Sequence, residues 1–256
     1  MLIDTHAHLF KEKFDDEQID EIVKSLGKNN LEKVILASSR MEDCEGNLMM
    51  TQKYDNLFCT IGIHPENIEE LTQENLKKIE NLAKDKKVVA IGEIGLDYHY
   101  DGFDKHKQIE GVLKQVELSN KLKLPFVIHL RDAYADMLEI LKKNKHLLKF
   151  GFVVHCYSGS VEYAKQLLEL GAYFSFTGVI TFKNARKAVE VINFLPLDRI
   201  MIETDCPYLA PEPIRGTINQ PKNVNFVFNK ICEIKKTDKD ILDKILRENV
   251  RNFYKI

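Results

Sequence analysis

The sequence predicts a single (β/α)8 TIM barrel, and two observations carry that expectation. First, short β-rich runs alternate with amphipathic segments along all 256 residues, a length typical of one such barrel. Second, five of the runs end in a His, Glu or Asp: Leu2-Ile3-Asp4-Thr5-His6-Ala7-His8, Val88 to Glu93, Phe126 to His129, Phe152 to His155, and Ile200 to Asp205. Strand ends furnished in this way meet at one point only if they gather at one face, as in a closed parallel barrel. An open doubly wound sheet is the main rival, and it would struggle to bring the first, fourth, fifth, sixth and eighth strands together. No Pro/Gly/Ser-rich linker divides the chain, so residues 1–256 are read as one domain.

Taken in order, strands are expected at 2–6, 33–37, 57–61, 88–92, 125–129, 150–155, 172–175 and 199–203. Helices are expected near 16–29, 42–53, 73–84, 105–121, 133–145, 160–170, 184–194 and 222–235, with a terminal one near 238–252. The helical assignments rest on spacing: Leu113, Val116, Leu118 and Leu122 lie close to one stripe, with Lys114 and Lys121 off it. Pro125 opens a strand, where its missing donor matters least, and Gly171 after an apolar helical stretch reads as the residue that ends it. The segment 205–221 holds four of the seven prolines. It is too long for an ordinary connection and is read as a functional loop.

Composition narrows the function. A net charge of −2 leaves no broad basic surface to coat a duplex, although a pocket that captures one end of a nucleic acid is still allowed. The five cysteines (Cys44, Cys59, Cys156, Cys206, Cys232) are scattered, without CxxC spacing, and read as reduced thiols. The N-terminus enters a strand at once, and no apolar run reaches membrane-spanning length. A cytoplasmic protein with no membrane partner is expected, and a monomer is favoured.

The strand-end residues define the chemistry. His6 and His8 alternate along one strand and so present two imidazoles to the same side. Glu93, between Gly92 and Gly95, is placed to bridge two ions with one oxygen each. His129 and His155 would complete a second ion's shell. Asp205 can hold the first ion and also accept a proton from an attacking water, while Glu203, two residues earlier, supports from behind the ligands. Any one of these alone reads more readily as a hydrogen-bonded core or surface residue; the combination reverses that reading. Two ions of this kind activate water and stabilise both reacting oxygens of a phosphodiester. The expected cofactors are therefore two divalent ions, from Zn, Mn, Co or Mg, with the histidines leaning toward a transition metal. His64, Arg131, Arg215 and Asn219 are candidate substrate contacts, the arginines because a planar fork suits phosphate. Tyr98 and Tyr157 are candidates for stacking on a base or for bonding to the scissile group. Each of these could instead serve packing or an ordinary surface ion pair.

The sequence closely resembles the TatD family of metal-dependent deoxyribonucleases. The resemblance is carried by Asp4 to Leu9, Gly62-Ile63-His64-Pro65, Gly92 to Tyr98, His129 to Ala133, His155 to Gly159, Thr181 to Ala185, Glu203 to Leu209 and Arg215 to Asn219. It implies a β/α barrel, a two-metal centre at His6, His8, Glu93, His129, His155 and Asp205, a phosphate contact at His64, and 3′→5′ exonuclease action on single-stranded DNA ends. Two departures stand out. Glu66 replaces a histidine that many members carry, and Thr217 and Ile218 replace a basic pair before Asn219, which lowers positive charge near the site. Two other functions fit the ligand set: ester or amide hydrolysis, such as deacylation of D-aminoacyl-tRNA, and a non-catalytic metal-binding scaffold. No Lys sits at the fourth strand's end to bridge metals as in related amidohydrolases, which favours the nuclease branch.

Overall fold

The apolar runs pair with one another in sequence order, each strand hydrogen-bonding the next in parallel. The computed structural model describes residues 1–9 and 11–256. The strands are β1 (Leu2–Ala7), β2 (Leu31–Leu36), β3 (Leu57–Ile61), β4 (Val88–Asp97), β5 (Phe126–Arg131), β6 (Phe152–Val154), β7 (Tyr173–Phe176) and β8 (Ile200–Ile202). The helices are α1 (Asp16–Ser25), α2 (Met41–Lys53), α3 (Gln73–Leu82), α4 (Lys105–Leu122), α5 (Tyr134–Lys143), α6 (Val161–Glu169), α7 (Arg186–Phe194), α8 (Val224–Lys235) and α9 (Lys239–Tyr254). Their starts follow local chemistry. Asp15 caps α1 in a reciprocal box with Gln18, and Thr72, Asp104, Ser160 and Asp238 cap α3, α4, α6 and α9. Among the described residues, no helix is long and apolar enough to cross a membrane.

The barrel closes between β1 and the segment after β8. Ala7 bridges Cys206 in parallel, Asp205 N donates to His6 O at 2.9 Å, and His8 N donates to Cys206 O at 2.7 Å. Side chains reinforce the seam. Asp4 accepts from Thr204 N at 2.9 Å and from Thr204 Oγ1 at 2.5 Å, and Thr5 Oγ1 donates to Ile202 O at 3.1 Å.

Three expectations change. Helix 16–29 stops at Ser25, and residues 27–29 form a tight turn that Asn30 ends in the left-handed region, with φ 63°. Strand 88–92 continues to Asp97, pairing Gly95, Leu96 and Asp97 with His129, Leu130 and Arg131, so Glu93 sits inside a strand rather than past its end. The buried face of α4 also differs: besides Val112, Val116 and Leu118 it carries Gln108, Gln115 and Ser119, while Leu113 and Leu122 are only partly covered. The two glutamines grip backbone that the sheet leaves unpaired. Gln115 accepts from Ile63 N and donates to Ile63 O at 2.8 and 3.0 Å, and Gln108 does the same for Asp97 N and O at 2.9 and 3.0 Å.

The larger apolar cluster lies between strands and helices. A smaller one joins Ile3, Ile35, Val89, Val127, Val153 and Met201 to Val250, Phe253 and Tyr254 of α9. Val127, Val153 and Met201 stand two residues before His129, His155 and Glu203. Alternation therefore gives them the same face, apolar below and ligand-bearing above. The site thus rests on a packed layer rather than on a mobile loop.

Candidate metal centre

All six expected ligands converge at the C-terminal ends of the strands, around Glu93. This carboxylate is 3 % exposed, and its two oxygens face different partners. Oε1 lies 3.4 Å from both His6 Nε2 and His8 Nε2, whereas Oε2 lies 2.9 Å from His155 Nε2 and 3.7 Å from His129 Nδ1. Asp205 Oδ1 closes the first set, 3.4 Å from His8 Nε2 and 3.7 Å from His6 Nε2. The His6 and His155 rings stack across the centre, 4.1 Å apart and nearly parallel. Close approach of backbone makes this possible. A Cβ on Gly95 would lie 1.8 Å from His129 O, so only glycine lets β4 and β5 come together there.

Hydrogen bonds aim the ligands. His8 Nδ1 bonds to Ala37 O at 3.1 Å, and His129 Nε2 to Asp97 Oδ2 at 2.8 Å, which turns Nε2 of His8 and Nδ1 of His129 inward. Behind His155, Glu203 Oε1 lies 3.5 Å from Nδ1. That carboxylate accepts from Cys156 N at 2.7 Å and from Ser175 Oγ at 2.5 Å.

The charges are strongly coupled. Burial alone would raise the Glu93 pKa, but the adjacent His6 and His155 imidazoles win and hold it well below the usual range. Burial would likewise lower His155, yet Glu93 and Glu203 push it well above the ordinary value. His129 is raised in the same way by Asp97 and Glu93 over the opposing effect of burial. His64 is the opposite case: burial, then neighbouring His129, lowers it to about 3, so it is neutral. Its Nδ1 accepts from Glu66 N at 3.2 Å, which leaves the proton on Nε2.

The donor set fits divalent cations. His6 Nε2 is buried and makes no hydrogen bond among the described residues. Ligands about 2.1 Å from a tetrahedral zinc stand roughly 3.4 Å apart, and the distances around His6 and His8 are 3.4 to 3.7 Å. His129 Nδ1 and His155 Nε2 are closer, at 3.1 Å, and His155 Nε2 stands 2.9 Å from Glu93 Oε2, so a cation held there would take the place of a proton between them. His64 also stands with Glu93 and His129, their ligand atoms mutually within 4.8 Å. Neutral nitrogen and carboxylate oxygen donors without thiolate suit zinc, manganese and cobalt.

The expected substrate contacts divide. His64 and Arg131 line a cavity of about 1140 Å³ over the centre, together with Glu66, Tyr100, Lys187 and Tyr208. Arg215 does not face it; its guanidinium lies over the Phe182 ring at 4.3 Å, joining two loops. Asn219 is fully buried, and its amide donates to Thr204 O and Tyr208 O at 3.0 and 2.8 Å, so it staples the long loop instead of meeting a substrate. Tyr98 is turned away, stacked on Phe103 with its hydroxyl on Asp136 Oδ2 at 2.8 Å. Tyr157 touches the cavity but is 3 % exposed, and its hydroxyl donates to Ser160 O at 2.7 Å. Thr217 and Ile218 are exposed and lie outside the cavity wall.

Sequence reasoning did not single out Asp97 or the Asp4–Thr204 pair. Asp4 shares the period of His6 and His8, and it also accepts from His6 N at 3.3 Å. Burial pushes its carboxyl up to about 8 against these three donors. Asp97 lies four residues past Glu93 on the same strand, but its partner comes from the next one. Asp97→Ala is expected to weaken retention of divalent metal by roughly 10–100-fold, because His129 then loses the carboxylate that fixes its ring. Titration of dialysed protein with zinc against a competing chelator measures this, and an unchanged affinity would mean that the ring is oriented by packing alone.

Comparison with known proteins identifies the family. A family model described as TatD related DNase matches residues 3–255. The chain is 38 % identical to the metal-dependent hydrolase YabD of Bacillus subtilis over all of both chains. It is 32 % identical to YcfH, a metal-dependent hydrolase of Escherichia coli K12, over 100 % of this chain and 96 % of that one. Among solved structures, the TatD homologue YjjV of Escherichia coli K12 superposes with a TM-score of 0.92 at 28 % identity, covering 100 % of this chain and 98 % of the other. With Glu93 set between two groups of imidazoles at the barrel mouth, and with family likeness running from end to end, the chain belongs to the TatD family of metal-dependent hydrolases.

Proposed function

We propose that the protein is a 3′→5′ deoxyribonuclease that cleaves phosphodiester bonds with two divalent ions. The observation that carries this reading is the division of Glu93, one oxygen toward His6 and His8 and the other toward His129 and His155. His6, His8 and Asp205 would hold one ion and His129 and His155 the other. Bound there, divalent ions lower the pKa of a water and stabilise the attacking and leaving oxygens of a phosphodiester. Asp205 is the proton acceptor. Its side chain is 15 % exposed where that of Glu93 is 4 %, so of these two carboxylates, both of which line the cavity, it is the more open to it. Burial would raise its pKa, but His8 and His6 lower it, and it is charged and ready to accept. Neutral His64 donates from Nε2 to a phosphoryl oxygen, and Arg131 offers its fork to the same group. A recessed centre with modest net charge suits capture of a strand end better than tracking along a duplex.

With manganese or magnesium, linear single-stranded DNA is expected to shorten from its 3′ end, while a strand with a blocked 3′ end and a closed circle persist. Denaturing gels of end-labelled strands give the readout. Efficient cutting of the circle would overturn the exonuclease reading, and hydrolysis of D-aminoacyl-tRNA with DNA untouched would reassign the substrate to a carboxylic ester.

A further inference from the structure

Tyr98 and Tyr157 are committed to packing, and a different tyrosine faces the cavity. Tyr100 lies in the loop after β4, lines the cavity and is 57 % exposed. The Arg131 guanidinium stands over its ring, 5.2 Å from the centroid. Arg131 is the last residue of β5, two beyond His129, and β4 is tied to it by Tyr98 N donating to Arg131 O at 3.0 Å. The cation thus lies over one face of the ring, on the wall that also carries His129.

A large exposed ring beside a cation has little structural purpose of its own, since it buries too little apolar surface to steady the fold. It does match one repeating ligand unit, a flat base joined to a phosphate. Every nucleobase has a π-face that stacks on an aromatic ring without regard to sequence, and a neighbouring arginine adds attraction for the phosphate. We propose that Tyr100 is a stacking platform for one nucleobase of a single-stranded substrate, with Arg131 holding the phosphate attached to it. The assignment rests on the nucleic-acid reading above and adds a subsite at the cavity mouth. It places base recognition outside the metal cluster, so every base can pass the same point.

The test uses metal-loaded protein and short phosphorothioate strands that resist cleavage, prepared with deoxyribose and with ribose. Each strand carries a single abasic residue, at each position in turn. Fluorescence anisotropy is expected to show one position where removing the base weakens binding by roughly 5–100-fold. Tyr100→Leu should erase that difference, Tyr100→Phe should keep it, and Arg131→Gln should weaken intact and abasic strands alike. Equal affinity for intact and abasic strands at every position, absence of binding, or equal losses in the Leu and Phe variants would overturn the stacking site. A base preference that Tyr100→Leu removes, in a protein that leaves linear DNA uncut, would uphold the subsite and overturn the nuclease reading instead.

Discussion

Glu93→Gln is expected to lower turnover on the order of 10³-fold or more, and to reduce the divalent metal retained after dialysis from two equivalents per chain to one or none. The amide keeps the size of the carboxylate but has a single acceptor oxygen. In the native chain both oxygens are used, Oε1 toward His6 and His8 and Oε2 toward His129 and His155. Whichever way the glutamine turns, one pair of imidazoles then faces an NH2 group that cannot ligate. Elemental analysis of dialysed protein alongside steady-state rates would decide the matter. A variant that keeps two equivalents and near-native turnover would show that Glu93 bridges nothing.

Asp205→Asn is expected to cost roughly 10²–10⁴-fold in turnover at saturating metal, the range for loss of a general base. Weakened metal binding would add to that at lower metal. At saturating metal the melting curve should stay close to that of the native protein, because the side chain is at the barrel mouth and belongs to neither apolar cluster. Glu203→Gln should cost less, roughly 10–100-fold. Its amide can still accept from Cys156 N while turning its NH2 toward Ser175 Oγ, but it no longer places a charge beside His155 Nδ1. Rates at saturating metal, with thermal melts alongside, separate these cases. Near-native turnover by Asp205→Asn would remove it from the chemistry, and collapse of the melt would make it a structural residue.

The candidate ligands that the fold brings together were legible because each stands where an apolar run stops, at the period of its strand. His6 and His8, two apart, share a face on sequence grounds alone. What could not be read was how far a strand continues. Whether β4 ends at Gly92 or at Asp97 depends on pairing with His129, Leu130 and Arg131, which are more than thirty residues away. Tyr98 and Tyr157 were named from the sequence, whereas Tyr100 and Tyr208, which line the cavity and are exposed, were not singled out. Arg215 and Asn219 lie in a loop whose shape is set by contacts with Phe182, Thr204 and Tyr208 rather than by local propensity. Asp97 was visible as part of a motif, but its role needs the neighbouring strand. The glutamines of α4 were not singled out in the sequence, and only the folded barrel shows that they cap the backbone of Ile63 and Asp97.

The seam between β1 and the segment after β8 joins residues about 200 positions apart in the chain. His6 and His8 stand on one side of it and Asp205 on the other. An ion held by these three is therefore a cross-link between the two ends of the barrel wall, placed across the longest loop that the fold has to close. Because such an ion would bind the closed form and not the opened one, its occupancy is expected to slow the unzipping of the wall. Amide hydrogens along β1 and at residues 203–206 should exchange more slowly as metal is added, while those of α3 and α5 remain at their former rates. Slower exchange at the seam on adding metal would then tie the chemistry of the site to the closure of the barrel.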